Sequence, residues 1–313
     1  QQSINILTYT WKRLLKRGMF PGILLFSLMK HLYTSLIMLL GSYMAFAQDS
    51  TRSYFKASMN YQNDNVYLGR KDTVALPYFI PMITYYHKSG IYFSASASYL
   101  PTSTDQRIDV VTLEGGYDFT AGKYDGEVYL SKYFYNSQST SVTSGITASL
   151  AFENEYDFGF IKPTLTTTLD LGTKTDFQGA LGLEHTFELF KDKLEITPSI
   201  VANGSTLNFY NSYYRTKHFT KRKGQKTISG TVSITGTVED ASAFKILDYE
   251  PGMSVKYFAG RWTFSFNPIY ALPVHPAALN IHSVYSTGTI TDRMRVEKLE
   301  NSFFWTLGVV YKL

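Results

Sequence analysis

NSFFWTLGVVYKL, residues 301–313, carries large apolar side chains on every second position: Phe303, Trp305, Leu307, Val309, Tyr311 and Leu313. A strand inside a soluble core has no need to rank its bulk so strictly on one face, up to the last residue. A strand with lipid on one side and a polar interior on the other does need this. The question for the rest of the chain is whether the pattern recurs.

It does, from Gln48 onward. SYFKASMNYQ sets Phe55, Ala57, Met59 and Tyr61 against Lys56, Ser58, Asn60 and Gln62, and GIYFSASASYL sets Ile91, Phe93, Ala95, Ala97 and Tyr99 against Tyr92 and three serines. GFIKPTLTTTLDL sets Ile161, Leu165, Leu169 and Leu171 against Lys162, three threonines and Asp170. In several segments the apolar face is small or aliphatic in the middle and aromatic near its ends, the pattern of an apolar band between two aromatic girdles. Period two predicts strands at 53–62, 76–87, 90–100, 108–119, 123–134, 142–156, 158–171, 176–190, 193–204, 245–258, 260–271 and 302–313.

The connections decide between a membrane barrel and a soluble sandwich. Those at 88–89, 120–122, 157, 191–192 and 259 are tight and rich in turn residues. Those at 63–75, 101–107, 135–141, 172–175, 205–244 and 272–301 are mostly longer and polar. Short and long alternate, as in a transmembrane antiparallel up-and-down β-barrel of about twelve strands with short periplasmic turns and long extracellular loops. A β-sandwich has no reason to sort its loops in this way.

Composition agrees. Charged residues make up 18% of the chain and aromatic residues 16%, and a mean hydropathy near zero is what alternating strands average to. Cysteine is absent, which excludes disulfides and thiolate chemistry. The net charge of +5 comes from residues 1–47, where Lys12, Arg13, Lys16, Arg17 and Lys30 stand without an acid; the remainder holds 30 − 5 = 25 basic against 25 acidic residues. A neutral barrel gives no electrostatic basis for binding nucleic acid.

Within that basic segment, MKHLYTSLIMLLGSYMAFAQDS has a short basic stretch, an apolar run from Leu32 to Met44 and the small-x-small pattern Ala45-Phe46-Ala47. This predicts a signal peptide at 29–47, too short to span a membrane, with cleavage before Gln48. Residues 1–28 read as an upstream extension outside the fold, and 48–313 as the barrel.

The 301–313 stretch also resembles the C-terminal assembly signal of Gram-negative outer-membrane β-barrel proteins, which implies handling by the barrel assembly machinery; such signals most often end in Phe, where this chain has Leu313. FKILDYEPGMSVKYFAGRWTFSFNPIYALPVHP and LENSFFWTLGVVYKL resemble a family of uncharacterised Gram-negative outer-membrane β-barrel proteins. That resemblance spans most of the chain after Gln48. It implies a barrel and an outer-membrane lipid environment, and no particular activity.

Strand parity turns Glu114, Asp118, Asp125, Glu127, Glu153, Asp170, Glu184, Glu188, Glu195, Asp248 and Glu250 inward, answered by Lys56, Lys162, Lys256 and Lys312. Such an interior favours cationic or neutral polar solutes over anions; equally, it is the solvated lining normal for a barrel. Glu184, Glu188 and Asp248 are expected to meet water. Inward Tyr92 and Tyr129, with Tyr54, Tyr133 and Tyr135, either stack on a ligand ring or fill space. The loop 205–244 clusters Arg215, Lys217, Lys221, Arg222, Lys223 and Lys226 with His218, a set able to capture an anionic ligand or to pair with lipopolysaccharide phosphates. TISGTVSITGTV within it alternates as a hairpin would. No cofactor fingerprint or metal-ligand spacing is present, and no histidine stands in a recognisable hydrolase motif.

Pro81, Pro163, Pro198, Pro251 and Pro268 fall inside predicted strands, where each removes a ladder donor. Their recurrence as FIP, IKP, ITP, YEP and FNP suggests a repeated structural device near the periplasmic rim. Three function classes remain open: a channel or binding barrel for a small polar solute, a barrel that presents surface loops, and a barrel hydrolase.

Overall fold

The computed structural model describes residues 52–71, 74–102, 106–211, 231–285 and 287–313, with the side chains of 231–235 and 285 also outside the description. The basic cluster Arg215 to Lys226 lies outside the described residues. Within them the chain forms β1 (Tyr54–Gln62), β2 (Tyr78–Tyr86), β3 (Ile91–Pro101), β4 (Gln106–Ala121), β5 (Tyr124–Tyr135), β6 (Ile146–Tyr156), β7 (Lys162–Gly172) and β8 (Asp176–Glu184). There follow β9 (Phe187–Leu189), β10 (Leu194–Ser205), β11 (Thr231–Val238), β12 (Lys245–Ala259), β13 (Trp262–Pro273), β14 (Ala278–Tyr285), β15 (Ile290–Val296) and β16 (Ser302–Lys312).

All strands but β11, β14 and β15 pair antiparallel into one sheet that closes through β10–β12 and β1–β16. With β8 and β9 forming one interrupted strand, this is a closed twelve-stranded barrel. Every predicted strand is present. Closure removes the sheet edges, which is the condition for a sheet to cross a bilayer. No helix among the described residues is long and apolar enough to cross a membrane; strands do the crossing.

The outward face carries the predicted belt. Its middle is aliphatic, with Met59, Ile83, Leu113, Leu130, Leu150, Leu165, Leu181, Ile200 and Leu307 exposed. Towards the short turns lie the ring pairs Phe55–Tyr85 at 4.9 Å and Trp262–Tyr311 at 4.6 Å; towards the long loops lie Tyr61–Phe79 at 4.9 Å and Tyr61–Trp305 at 5.5 Å. Each side chain left in water would forgo about 1.5–3 kcal/mol of burial, so this surface is built for lipid.

The prolines are not a rim device. All five share the outward parity: Pro81 opposes Met59, Pro163 opposes Leu183, Pro198 opposes Met253, Pro251 opposes Ile200 and Pro268 opposes Trp305. They lie at different heights along their strands. Pro198 explains the interruption between β8 and β9. The register Ser199↔Glu184 continues unshifted to Ile196↔Phe187, so His185 stands opposite Pro198 and donates its N–H to the proline carbonyl at 3.3 Å without receiving one back.

The long loops hold structure of their own. The alternation around β11 suggested a hairpin within its own loop; among the described residues its partner comes from a different connection. β11 pairs with β14, and β14 with β15, giving a three-stranded sheet shared between the 206–244 and 274–301 connections. Val142, expected in a strand, lies in the loop before β6 and is almost wholly buried.

Candidate functional site

The β1–β2 connection turns inward. Tyr67 and Arg70 pair across a two-residue turn, their N–H groups donating to each other's carbonyls at 2.8 and 2.9 Å. Leu68 and Gly69 at its tip have φ of 50° and 70°, the primed geometry of a tight hairpin. A side chain at Gly69 would start 2.7 Å from Cβ of Pro273 and 3.0 Å from Cβ of Asp248, so only glycine fits.

This strap crosses the barrel. The Tyr67 hydroxyl donates to Asp170 at 3.0 Å on β7, the sixth strand round the wall from β1 in either direction. Gln178 on β8 hydrogen-bonds both Tyr67 and Asp170, and Ser149 donates to Asp170 as well. On another side of the strap, Arg70 pairs with Glu297 at 3.1 Å, both side chains nearly excluded from solvent, and lies over the Tyr210 ring at 5.5 Å. Glu297 also accepts from the Tyr210 hydroxyl at 2.5 Å and the Ala277 N–H at 3.0 Å.

Other loops complete the closure. Leu68 joins a buried apolar cluster with Val142, Leu207, Phe209, Val238, Leu247, Ala277 and Leu279, against which Tyr133 of the β5 wall packs. The helical turn at 208–211 is anchored by Asp176, which accepts from the N–H groups of Asn208 and Phe209 at 2.7 Å each. Apolar groups from connections around the ring meet in one core at the long-loop end.

Below this core the lumen face is polar. Tyr92 lies over Gly116, where a Cβ would come within 2.6 Å of its ring, and its hydroxyl reaches Glu114 at 3.2 Å and also donates to Glu127. Ser131 donates to Glu114 at 2.6 Å, and Tyr129 to Glu153 at 2.7 Å. Asp118 and Asp125 follow towards the short turn, with Thr120 donating to Asp125 at 2.6 Å. Asp118, Asp125, Glu127 and Glu153 line a cavity of about 380 Å³. Among the described residues none of Glu114, Asp118, Glu127 and Glu153 has a cation within ion-pair distance.

Glu184 and Glu188 line a second cavity of about 640 Å³ at the short-turn end, with Glu155, Lys162, Glu195 and Lys256. Of the four lumen lysines, Lys162 alone makes an ion pair among the described residues, to Glu155 at 2.9 Å. Lys312 stands over the Tyr54 ring at 4.1 Å and Lys56 over Tyr86 at 4.6 Å, the two lysines facing each other across the closing seam.

Parity placed these residues on the inward face, with one expectation to correct. Asp248 does not meet water: it is fully buried, and the Gly69 end of the strap packs against it. Glu250 follows two residues on, on the same face. The tyrosines fill the bore and also hold the carboxylates in place. Tyr67, Arg70 and Glu297 were missed. The signal for the first two was YLGRK, an aromatic, a leucine and a glycine in an otherwise polar loop.

Of the described histidines, His185 lines the short-turn cavity beside Glu184 and Glu188, and His87, His275 and His282 line neither lumen cavity. His87 bonds Ser89 at 2.8 Å in a short turn, His185 packs on the Phe187 ring, and His275 bonds the Ile246 carbonyl at 2.7 Å. His282 pairs with Asp292 at 2.7 Å on the exposed three-stranded sheet. No three His, Asp or Glu side chains among the described residues are grouped to hold a metal ion.

The chain matches no protein-family model and no curated protein. Solved structures with a similar shape include the NanC porin, 8% identical, with 83% of this chain and 100% of that chain covered and a TM-score of 0.43. They also include a bacterial polysaccharide outer membrane secretin, 8% identical, covering 85% and 100% at a TM-score of 0.36. A third is BamA from Haemophilus ducreyi lacking POTRA domains 1–3, 10% identical, covering 84% and 71% at 0.32. The assignment rests on the molecule's own sidedness: a closed antiparallel sheet, apolar and girdled outside, polar inside. This chain is a twelve-stranded transmembrane β-barrel of the outer-membrane type.

Proposed function

We propose that the protein is an integral outer-membrane barrel, exported through the signal peptide at 29–47, that binds a small polar solute, cationic or neutral rather than anionic, in its lumen or passes it on, with the strap as the closed gate of its outer mouth. The observation carrying this reading is the layer of Glu114, Asp118, Glu127 and Glu153, four carboxylates that face the bore with no close ion pair among the described residues, Lys56 acting on Asp118 from farther off. Carboxylates so placed hold a negative potential in a narrow, partly low-dielectric space, where salt screens less than in bulk. Tyr92 and Tyr129 fix the carboxylate positions, so a cation entering there meets preset oxygens.

Planar-bilayer recordings test this on two proteins, the native barrel and one with residues 65–75 replaced by a short Gly-Ser linker. The native barrel should conduct little. The strap-deleted one should conduct and pass K⁺ in preference to Cl⁻. Anion preference in the opened barrel would overturn the reading.

A second reading is a barrel that presents loops to partners. The three-stranded sheet of β11, β14 and β15 favours it, because among the described residues β15 is an edge strand, with Ile290, Met294 and Val296 exposed. An opened barrel that folds but does not conduct would favour this alternative.

A further inference from the structure

The strap and the base of the three-stranded sheet share one ion pair. Glu297 is the residue after β15, and its carboxylate accepts from Arg70 of the strap at 3.1 Å, from the Tyr210 hydroxyl at 2.5 Å and from the Ala277 N–H at 3.0 Å. Its own N–H donates to the Ala277 carbonyl at 2.8 Å, joining the leg that leaves β15 to the leg that enters β14. Arg70 grips that second leg as well, donating to the His275 carbonyl at 3.2 Å. β11 is tied to the same base: the Val238 N–H donates to Oδ1 of Asn211 at 2.6 Å, next to Tyr210, and the Glu239 N–H donates to the Ala278 carbonyl at 2.8 Å. One end of every strand in the sheet thus lies at the carboxylate that holds the strap.

Both partners are nearly excluded from solvent, with side-chain exposures of 1% and 8%, and Leu68, Val238, Ala277 and Leu279 of the buried apolar cluster surround this base. A dry ion pair is strong while its surroundings stay closed and weakens steeply once water enters, because the attraction scales inversely with the local dielectric. Loosening the base of the sheet therefore loosens the pair, and strap and sheet part cooperatively rather than by degrees. The other hold on the strap, Tyr67 on Asp170, goes to the barrel wall and does not involve the sheet.

We propose, on the reading of the strap as the gate of the mouth, that the Arg70–Glu297 pair is a latch through which the three-stranded sheet governs that gate, so that displacing the sheet releases the strap. A pull on β14 or β15 reaches Glu297 through the strand that Glu297 ends, and both legs of that hairpin are bonded to Arg70. The latch is a two-state element that the sheet biases from one side and the strap from the other, the physical requirement for coupling.

Trypsin cleavage at Lys71 of the full chain in detergent reports release of the strap, and planar-bilayer conductance reports opening of the gate. Replacing residues 290–295 by a Gly-Ser linker of equal length removes β15 and leaves Glu297 in place. Cleavage at Lys71 should then speed up several-fold, with conductance rising alongside and the barrel intact by strand circular dichroism. Tyr210→Phe keeps the ring beneath Arg70 and removes one donor from Glu297. It should speed cleavage about tenfold or more, the effect of losing a hydrogen bond to a charged group. In a Glu297→Gln background the linker should add little. Where that variant does not fold, Tyr210→Phe serves as the background and the linker's effect should shrink there. An unchanged rate at Lys71 in the linker protein would overturn the proposal. A linker effect of full size in either background would overturn it too, because the sheet would then act by another route. No conductance from the strap-deleted barrel would sink the gate reading alone, since cleavage at Lys71 reports the latch with or without a pore.

Discussion

Tyr67 and Asp170, 103 residues apart, meet at 3.0 Å inside the mouth of the barrel, the one on a connection that leaves β1 and the other on the wall opposite β1. Their contact makes the strap a crossbar rather than a flap, fixed at its near end by the chain and at its far end by a hydrogen bond. Asp170 has further donors in Ser149 and Gln178, so the bond can be broken without stranding the carboxylate. Tyr67→Phe should therefore cost about 1.5–3 kcal/mol, the range for a hydrogen bond to a charged group. The barrel should keep its strands while the strap becomes easier to cut. Trypsin digestion followed by mass spectrometry would show this as faster cleavage at Lys71.

The Arg70–Glu297 pair should behave differently, because both side chains are nearly excluded from solvent. Glu297→Gln removes the close ion-pair partner of a buried guanidinium, leaving only the more distant Asp248, and should destabilise the fold by about 3 kcal/mol. Replacing both at once, Arg70→Met with Glu297→Leu, should cost clearly less than Glu297→Gln alone. Urea unfolding of the set would measure the difference. A double variant worse than either single one would show that the pair is worth more than its desolvation.

Gly69→Ala combines a left-handed backbone with a Cβ placed 2.7 Å from Pro273. It should destabilise the strap by about 1–3 kcal/mol. It should also raise the single-channel conductance of the intact barrel towards that of the strap-deleted one. Unchanged conductance would mean that the apolar core around Leu207 and Phe209 closes the mouth without help from the strap.

Glu127→Gln with Glu153→Gln removes two charges from the layer that Tyr92 and Tyr129 order. In a strap-deleted background the K⁺ over Cl⁻ preference should fall several-fold, with Tm little changed, since these side chains reach the aqueous bore. Reversal potentials in a salt gradient would check this.

Orientation follows from the loop lengths. An epitope at Thr287 should be reached by antibody on intact cells and one at Ser89 should not. N-terminal sequencing of membrane-extracted protein should begin at Gln48.

How much of this could be read in advance depended on where the physics is periodic. Lipid on one side of every strand imposes period two, so Phe93 stands out against Tyr92 and Leu165 against Thr164, whereas the bulge opposite Ser98/Tyr99 reverses the parity of β4 and leaves Ile108 exposed and Asp109 buried. Parity also placed Asp248, but parity names a face of the sheet and not what lies against that face. What lies there is Gly69, nearly 180 positions earlier in a polar loop. Tyr67, Arg70 and Glu297 act through contacts between non-periodic segments, which leave only the short YLGRK anomaly in the sequence. The β11 stretch alternated clearly, yet its partner among the described residues is β14 from a different loop, because alternation predicts a strand and says nothing about its neighbour. Pro198 interrupted β8–β9 from across the ladder, so the cause of the break was written in a different strand.

The seam between β1 and β16 runs from Lys56↔Lys312 to Gln62↔Thr306, and the Leu313 N–H reaches the Phe55 carbonyl at 2.9 Å. It is hydrogen-bonded like its neighbours, so the ring has no privileged first strand, and the order of the chain is one of many ways to cut a circle. A protein in which Leu313 is joined to Ser53 by a few residues, and the circle is reopened at the Gly122 turn, would contain the same wall. Every lipid-facing and bore-facing side chain would keep its place, and only the sequence in which the strands emerge during synthesis would change.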